Sequence, residues 1–180
     1  MSDSVLRPSL DPEFAPAAIW NRAYRARVAQ DAGARPFAVV LVRPDGSAFR
    51  HDSRVLAANH PAAAESLTYA ERLLKFLLWM KGGSRVLIAG ADEIATALAQ
   101  TYAPGGARAF DADLMGGKVF REHFTVAAAR FEALPAAQET SVPMGRHLDG
   151  CRIGFDLGGS DRKAAALIDG RVVFSEEIAW

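Results

Sequence analysis

Cysteine is nearly absent. Cys151 is the one thiol in 180 residues, so no disulfide framework and no cysteine-built zinc site can form within the chain. At the mouth of an apolar strand, that thiol is expected to be a small buried hydrophobe rather than a nucleophile. Net charge is absent too: 21 Lys and Arg balance 21 Asp and Glu, so there is no general electrostatic attraction to nucleic acid or anionic membrane. Long apolar runs are missing as well. The longest, Leu73 to Met80, is interrupted by Lys75 and falls far short of the roughly 20 residues a spanning helix needs. The first residues, Met1 to Arg7, hold no apolar core flanked by positive charge, so no secretory signal is expected and the chain reads as cytoplasmic. There is no Gly-x-Gly-x-x-Gly set, no Walker loop and no Gly-x-Ser-x-Gly elbow. His51, His60, His123 and His147 lack metal-ligand spacing. No internal repeat or low-complexity tract appears.

What is present suits a folded domain, since half the residues are apolar and 23% are charged. Residues 1–36 carry Pro8, Pro12, Pro16 and Pro36, and between them Ala17 to Gln30 has apolar residues at helical spacing (Ile19, Trp20, Tyr24, Val28). This reads as a helical arm with Pro16 at its entrance, needing a surface to dock on. Its arginines, Arg22, Arg25 and Arg27, fit a solvated helix face better than DNA contact. Phe37 to Val42 is an apolar strand, Arg43-Pro-Asp-Gly46 a turn, and Ser47 to Val55 a second strand. Leu67, Ala70, Leu73, Leu74, Leu77 and Leu78 recur at helical spacing, and Gly82-Gly83 closes that helix. Arg85 to Gly90 is a short buried strand, and Asp92 is expected to cap a helix reaching about Tyr102.

Beyond Pro104-Gly-Gly106, residues 109–110 and 119–126 read as strand or irregular structure and 127–134 as a further strand. Asp111 and Asp113 with Gly116-Gly117 could be a metal or phosphate loop, but a solvated turn is the better reading. Glu65, Tyr69, Glu71 and Arg72 read as exposed salt-bridging positions on the apolar-striped helix. The order β-β-α-β-α-β implies a layered α/β module over 37–135, with α+β as the alternative. Phe37, Val39, Leu41, Leu74, Leu77, Leu78, Val86, Ile88, Ile94 and Leu98 should form its core. Residues 136–150, aperiodic and rich in turn formers, read as a linker.

Residues 151–180 carry the clearest chemical pattern. An apolar strand ends in Asp156, a Gly158-Gly159-Ser160 turn follows, then a second strand, the Asp169-Gly170 hairpin signal and a third strand. Such an order suits phosphate: a carboxylate at a strand end can face a metal, and glycines let a phosphate approach the backbone. The stretch Gly154-Phe-Asp-Leu-Gly-Gly-Ser-Asp161 resembles the first phosphate motif of the sugar kinase and actin-like ATPase superfamily. It is similar in particular to the ROK family (repressor, open reading frame, kinase), whose corresponding stretch reads roughly Gly-Ile-Asp-Ile-Gly-Gly-Thr-Lys. Asp161 departs from that pattern, placing a carboxylate where a lysine is common; it would repel phosphate unless Arg162 neutralises it. The words Arg72 to Gly83, Ala107 to Gly116 and Gly145 to Arg152 resemble a subgroup of ROK-like proteins that carry an extra N-terminal module, so the resemblance spans nearly the whole chain.

The resemblance implies a ribonuclease H-like (actin-like ATPase) lobe whose opening antiparallel hairpins are residues 151–180. It implies Mg-ATP as cofactor, with Asp156 holding magnesium through water and Gly158, Gly159, Ser160 and Lys163 around the phosphates. The implied reaction moves the γ-phosphoryl of ATP to a sugar hydroxyl. The catalytic Asp, second phosphate loop, adenosine motif and frequent Cys/His zinc site of that family have no counterpart here, so no catalytic residue is assigned in this chain. The expectation is the front portion of a longer kinase, inactive alone, with sugar, ATP and its remaining lobes as partners. Homo-oligomerisation is allowed, and neither nucleic acid nor membrane is expected. The alternative is a non-catalytic binding or interaction module with a degenerate nucleotide site.

Overall fold

The computed structural model describes residues 9–11, 14–139 and 147–180. Parts of the arm (1–8, 12–13) and of the linker (140–146) lie outside the described residues. Internal contacts divide the chain into two units, Met1–Thr140 and Ser141–Trp180. Both belong to a mixed α/β protein. Among the described residues, no helix is long and apolar enough to cross a membrane.

The first unit is built on a sheet ordered β2-β1-β3-β4, from β1 (Arg35–Val42), β2 (Ala48–Val55), β3 (Arg85–Ala89) and β4 (Thr125–Ala129). β1 pairs antiparallel with β2 and with β3, while β3 and β4 run parallel. The near-continuous apolar run of β1 follows from its central place, because a strand covered on both faces has no solvated side to make polar. Phe37, Val39 and Leu41 enter a core formed with α1 (Ala17–Gln30), α2 (Ala63–Lys81) and α3 (Asp92–Thr101). Ala38, Val40 and Val42 face the other way, onto Ala48, Ala89 and Leu134 with Phe131 packed alongside. All ten residues expected in the core are buried in the first of these clusters.

The Ala17–Gln30 helix docks through aromatic rings and one buried hydrogen bond. Tyr24 stacks on Tyr69 with centroids 4.7 Å apart and on Trp20 at 5.5 Å, and its hydroxyl donates to Ser66 Oγ at 2.8 Å. Arg72 lies over the Trp20 ring, and Arg27 pairs with Glu65. Tyr69 is therefore not the exposed position expected of it: it is buried and within 3.1 Å of the Ser53 hydroxyl. Asp92 is the first residue of α3 and makes no side-chain cap; Ala91 occupies the cap position. The carboxylates of Asp92 and Glu93 still complement the helix dipole there.

The largest departure from expectation lies between α3 and β4. Residues 109–120 are helical, as α4 (Ala109–Ala112) followed by a π-helical segment, Asp113–Phe120. Tertiary contact overrides the local pattern here. Asp111 is buried, accepting a hydrogen bond from Trp79 Nε1 at 2.8 Å with Lys75 Nζ at 3.4 Å, so it is no solvated turn residue. Gly116 touches the returning chain closely: a Cβ there would sit 2.7 Å from the Glu122 carbonyl oxygen and 2.9 Å from the Phe124 nitrogen. The glycine pair that reads as a loop thus serves helix packing. Downstream, only Thr125–Ala129 is strand and Phe131–Ala133 is a 3-10 turn, which lays Phe131 and Leu134 on the second face of the sheet.

The second unit is a three-stranded antiparallel meander of β5 (Cys151–Leu157), β6 (Asp161–Ile168) and β7 (Arg171–Ala179). Both turns fall where the glycines lie. Asp169 and Gly170 have φ of 49° and 76°, the pair of positive values that a type I′ turn demands. Cys151 is exposed rather than buried, because no layer within this unit covers its face of the sheet.

Candidate functional site

The β5–β6 turn and the strand ends beside it form the candidate site. Asp156 is the penultimate residue of β5, and register places it directly opposite Lys163, which in turn lies opposite Glu177 of β7. Partners directly opposite in an antiparallel pair share a face, so Asp156, Lys163 and Glu177 make one charged row across three strands. Lys163 Nζ lies 3.6 Å from Glu177 Oε1 and 3.5 Å from Asp161 Oδ2. Asp156 is exposed and, among the described residues, makes no hydrogen bond or ion pair, which leaves its oxygens open to a cation.

Gly158, Gly159 and Ser160 carry the chain from β5 into β6. The Gly158 amide donates to the Asp161 carbonyl at 2.9 Å, and the Ser160 carbonyl accepts from Trp180 at 3.1 Å. The two glycines differ in what the fold asks of them. A Cβ on Gly158 would approach Asp161 Oδ1 to 2.8 Å, whereas a Cβ on Gly159 would meet nothing within 4 Å. Gly159 also lacks the positive φ that would require glycine. The fold therefore places no demand for glycine at residue 159, and its bare backbone faces open space where a bulky anion could come close.

The structure thus gathers Asp156, Gly158, Gly159, Ser160 and Lys163 at one end of a single sheet. Magnesium commonly takes one or two carboxylates and completes its octahedron with phosphate oxygens and water. An uncommitted Asp156 beside an open glycine turn fits that donor set. Asp161 fits less well, since its carboxylate lies against Gly158 and pairs with Lys163, offsetting the lysine's charge beside the turn. Glu177 belongs to the charged row but was not singled out by sequence; only the strand register, set by the Asp169-Gly170 turn and a bulge between Ala166 and Leu167, brings it there. Among the described residues, no group of three or more His, Cys, Asp or Glu side chains could hold a metal by itself. Asp111 and Asp113 do not join such a group: Asp111 is committed to Trp79 and Lys75, and Asp113 is exposed.

Alternation on the opposite face is apolar. Ile153, Phe155 and Leu157 from β5 and Phe174 from β7 each expose half or more of their surface. A protein rarely leaves so large an apolar face to water without a partner for it.

Compared with models of protein families, with curated proteins and with solved structures, the chain matches none.

Proposed function

We propose that this chain is the N-terminal part of an ROK-type ATP-dependent sugar kinase and that its 151–180 meander supplies the first Mg-ATP phosphate hairpin. The observation that carries this reading is the β5–β6 turn: an uncommitted Asp156 at a strand end, two residues before a glycine pair whose second member the fold itself does not require. In this reading Asp156 orients the magnesium through water. In the Gly158-Gly159-Ser160 turn the amides of Gly159 and Ser160, left free among the described residues, donate to the phosphates while Gly158 closes the turn onto Asp161. The bound metal nucleotide supplies a polarised γ-phosphoryl group. The uncovered apolar face of β5 to β7 supports the same reading, because the opening hairpins of a ribonuclease H-like lobe are packed between further layers. The intended partners are a sugar, ATP and the remaining lobes of the kinase, in the cytoplasm.

Phosphoryl transfer needs a base, the metal and the whole triphosphate positioned together, and one hairpin provides only part of that. The 180-residue chain should release no ADP above background when incubated with ATP, magnesium and a panel of hexoses. The natural reading frame past Trp180 should continue into a second phosphate loop and an adenosine motif. Turnover by the 180-residue chain that vanishes in Asp156→Ala would overturn the fragment assignment.

A second reading, a non-catalytic interaction module with a degenerate nucleotide site, draws on one observation. Lys163 is drawn toward Asp161 and Glu177, which lowers the positive potential offered to a phosphate. A native stop codon directly after Trp180 would favour it.

A further inference from the structure

A groove of about 590 Å³ lies in the first unit, between the C-terminal end of α3, the π-helical segment and the start of β4. That volume falls in the range of small-molecule sites, roughly 300–1,000 Å³. Its lining is mainly apolar, including Pro104, Tyr102 and Phe124, with the two rings stacked at 5.5 Å between centroids. Beside the Tyr102 hydroxyl, the charged or titratable side chains are few: Asp113, Glu122 and His123. No lysine or arginine lines it.

Three independent features mark this place. One wall is a π-helical segment, Asp113–Phe120, a rare form found often at functional sites. The residue that ends it, Arg121, holds a left-handed backbone at φ 55°, a conformation that costs free energy in a non-glycine residue and clusters near sites. Tyr102 lines the groove with only 3% of its surface exposed, yet its hydroxyl has no hydrogen-bond partner among the described residues. An orphaned buried hydroxyl is costly and calls for an explanation.

The charge pattern chooses the ligand. Glu122 already accepts a hydrogen bond from Ser84 Oγ at 2.8 Å. Asp113 is exposed and, among the described residues, has no ion pair or hydrogen bond, so it is the uncommitted anion of the groove. An anionic ligand would meet two carboxylates and no lining cation. We propose that the groove binds a small organic ammonium, its apolar body against Phe124 and Pro104 and its protonated amine at Asp113. This site lies wholly in the first unit and stands or falls independently of the phosphate hairpin.

The test titrates the ¹⁵N-labelled 180-residue protein with phenethylamine, its neutral isostere 2-phenylethanol and the anion 3-phenylpropionate, following backbone amide shifts. The amine should shift the amides of Gly117, His123 and Phe124 saturably. It should bind about fivefold more tightly than the alcohol, the most that one exposed charge pair typically gives, while the propionate produces no saturable shift. Asp113→Asn, at an exposed position and with an otherwise unchanged spectrum, should lower the amine to the affinity of the alcohol. Equal affinity for amine and alcohol, amine binding that survives Asp113→Asn, or the absence of any saturable shift would overturn the proposal.

Discussion

At the scale of single residues, Gly90 after β3 and Gly159 in the hairpin show the difference between a glycine that the fold requires and one that it does not. Gly90 has φ of 86° and a Cβ there would collide with the Pro36 carbonyl oxygen, so the fold itself demands glycine. Gly159 has neither constraint. Gly159→Ala should leave the unfolding free energy of the protein within about 0.5 kcal/mol of wild type, as surface substitutions away from special features do.

A different residue, His51 in β2, sets a pH dependence. Burial is the largest influence on it and, together with nearby Arg25, outweighs the Asp52 carboxylate, so its pKa lies below the ordinary 6.5. In the unfolded chain His51 takes up a proton near pH 6.5, whereas in the folded protein it resists, so the unfolded state binds more protons as the solution acidifies. The stability His51 contributes is present above pH 6.5 and is lost as pH falls from there toward the folded value. Urea unfolding between pH 8 and pH 5 should show that decline, and His51→Gln should flatten it. An unchanged slope in the variant would assign the decline to other groups.

Secondary-structure elements were legible where local pattern and tertiary role agree. The apolar stripe of α2 reads as a helix because Leu74, Leu77 and Leu78 repeat at its period and all are buried. Leu77→Ala should cost about 2–5 kcal/mol; a change under about 0.5 kcal/mol in chemical unfolding would show that Leu77 is not core. The meander reads equally well, since Gly158-Gly159 and the Asp169-Gly170 turn mark the ends of three strands. Reading failed between Ala109 and Phe124 for a physical reason. Gly116-Gly117 signals a loop locally, yet Gly116 is needed where the chain returns against Glu122 and Phe124, and Asp111 is held by Trp79 from another helix. Neither contact has a signature in the neighbouring sequence. The candidate site was legible as a motif, Asp156 through Ser160, but not as a charged row, because Glu177 reaches Lys163 only through the register of β7. Cys151 misled for a related reason: an apolar strand implies burial only when another layer covers it.

For the whole molecule, the two units differ in how much core each possesses. The first encloses β1 on both faces, while β5, β6 and β7 leave most of their side chains partly or fully in water. Isolated sheets of three strands depend on a covered apolar face for stability. Hydrogen exchange on the 180-residue protein should therefore protect the amides of β1 and β3 far more strongly than those of β5 to β7. Comparable protection in both units would mean that the meander is stable without further layers, and would remove one support for the kinase reading.

The central claim is that Asp156 and the Gly158-Gly159-Ser160 turn receive magnesium and ATP phosphate, and the most direct measurement is Mg-ATP affinity and turnover in the natural full-length protein. Gly159→Val fills the open space beside the turn, and Asp156→Asn removes the charge proposed to orient the metal. With both variants folded by circular dichroism, Gly159→Val should weaken ATP binding by an order of magnitude or more, about 1.4 kcal/mol. Asp156→Asn should depress magnesium-dependent turnover far more than stability. Wild-type ATP affinity and turnover in both folded variants would contradict the assignment.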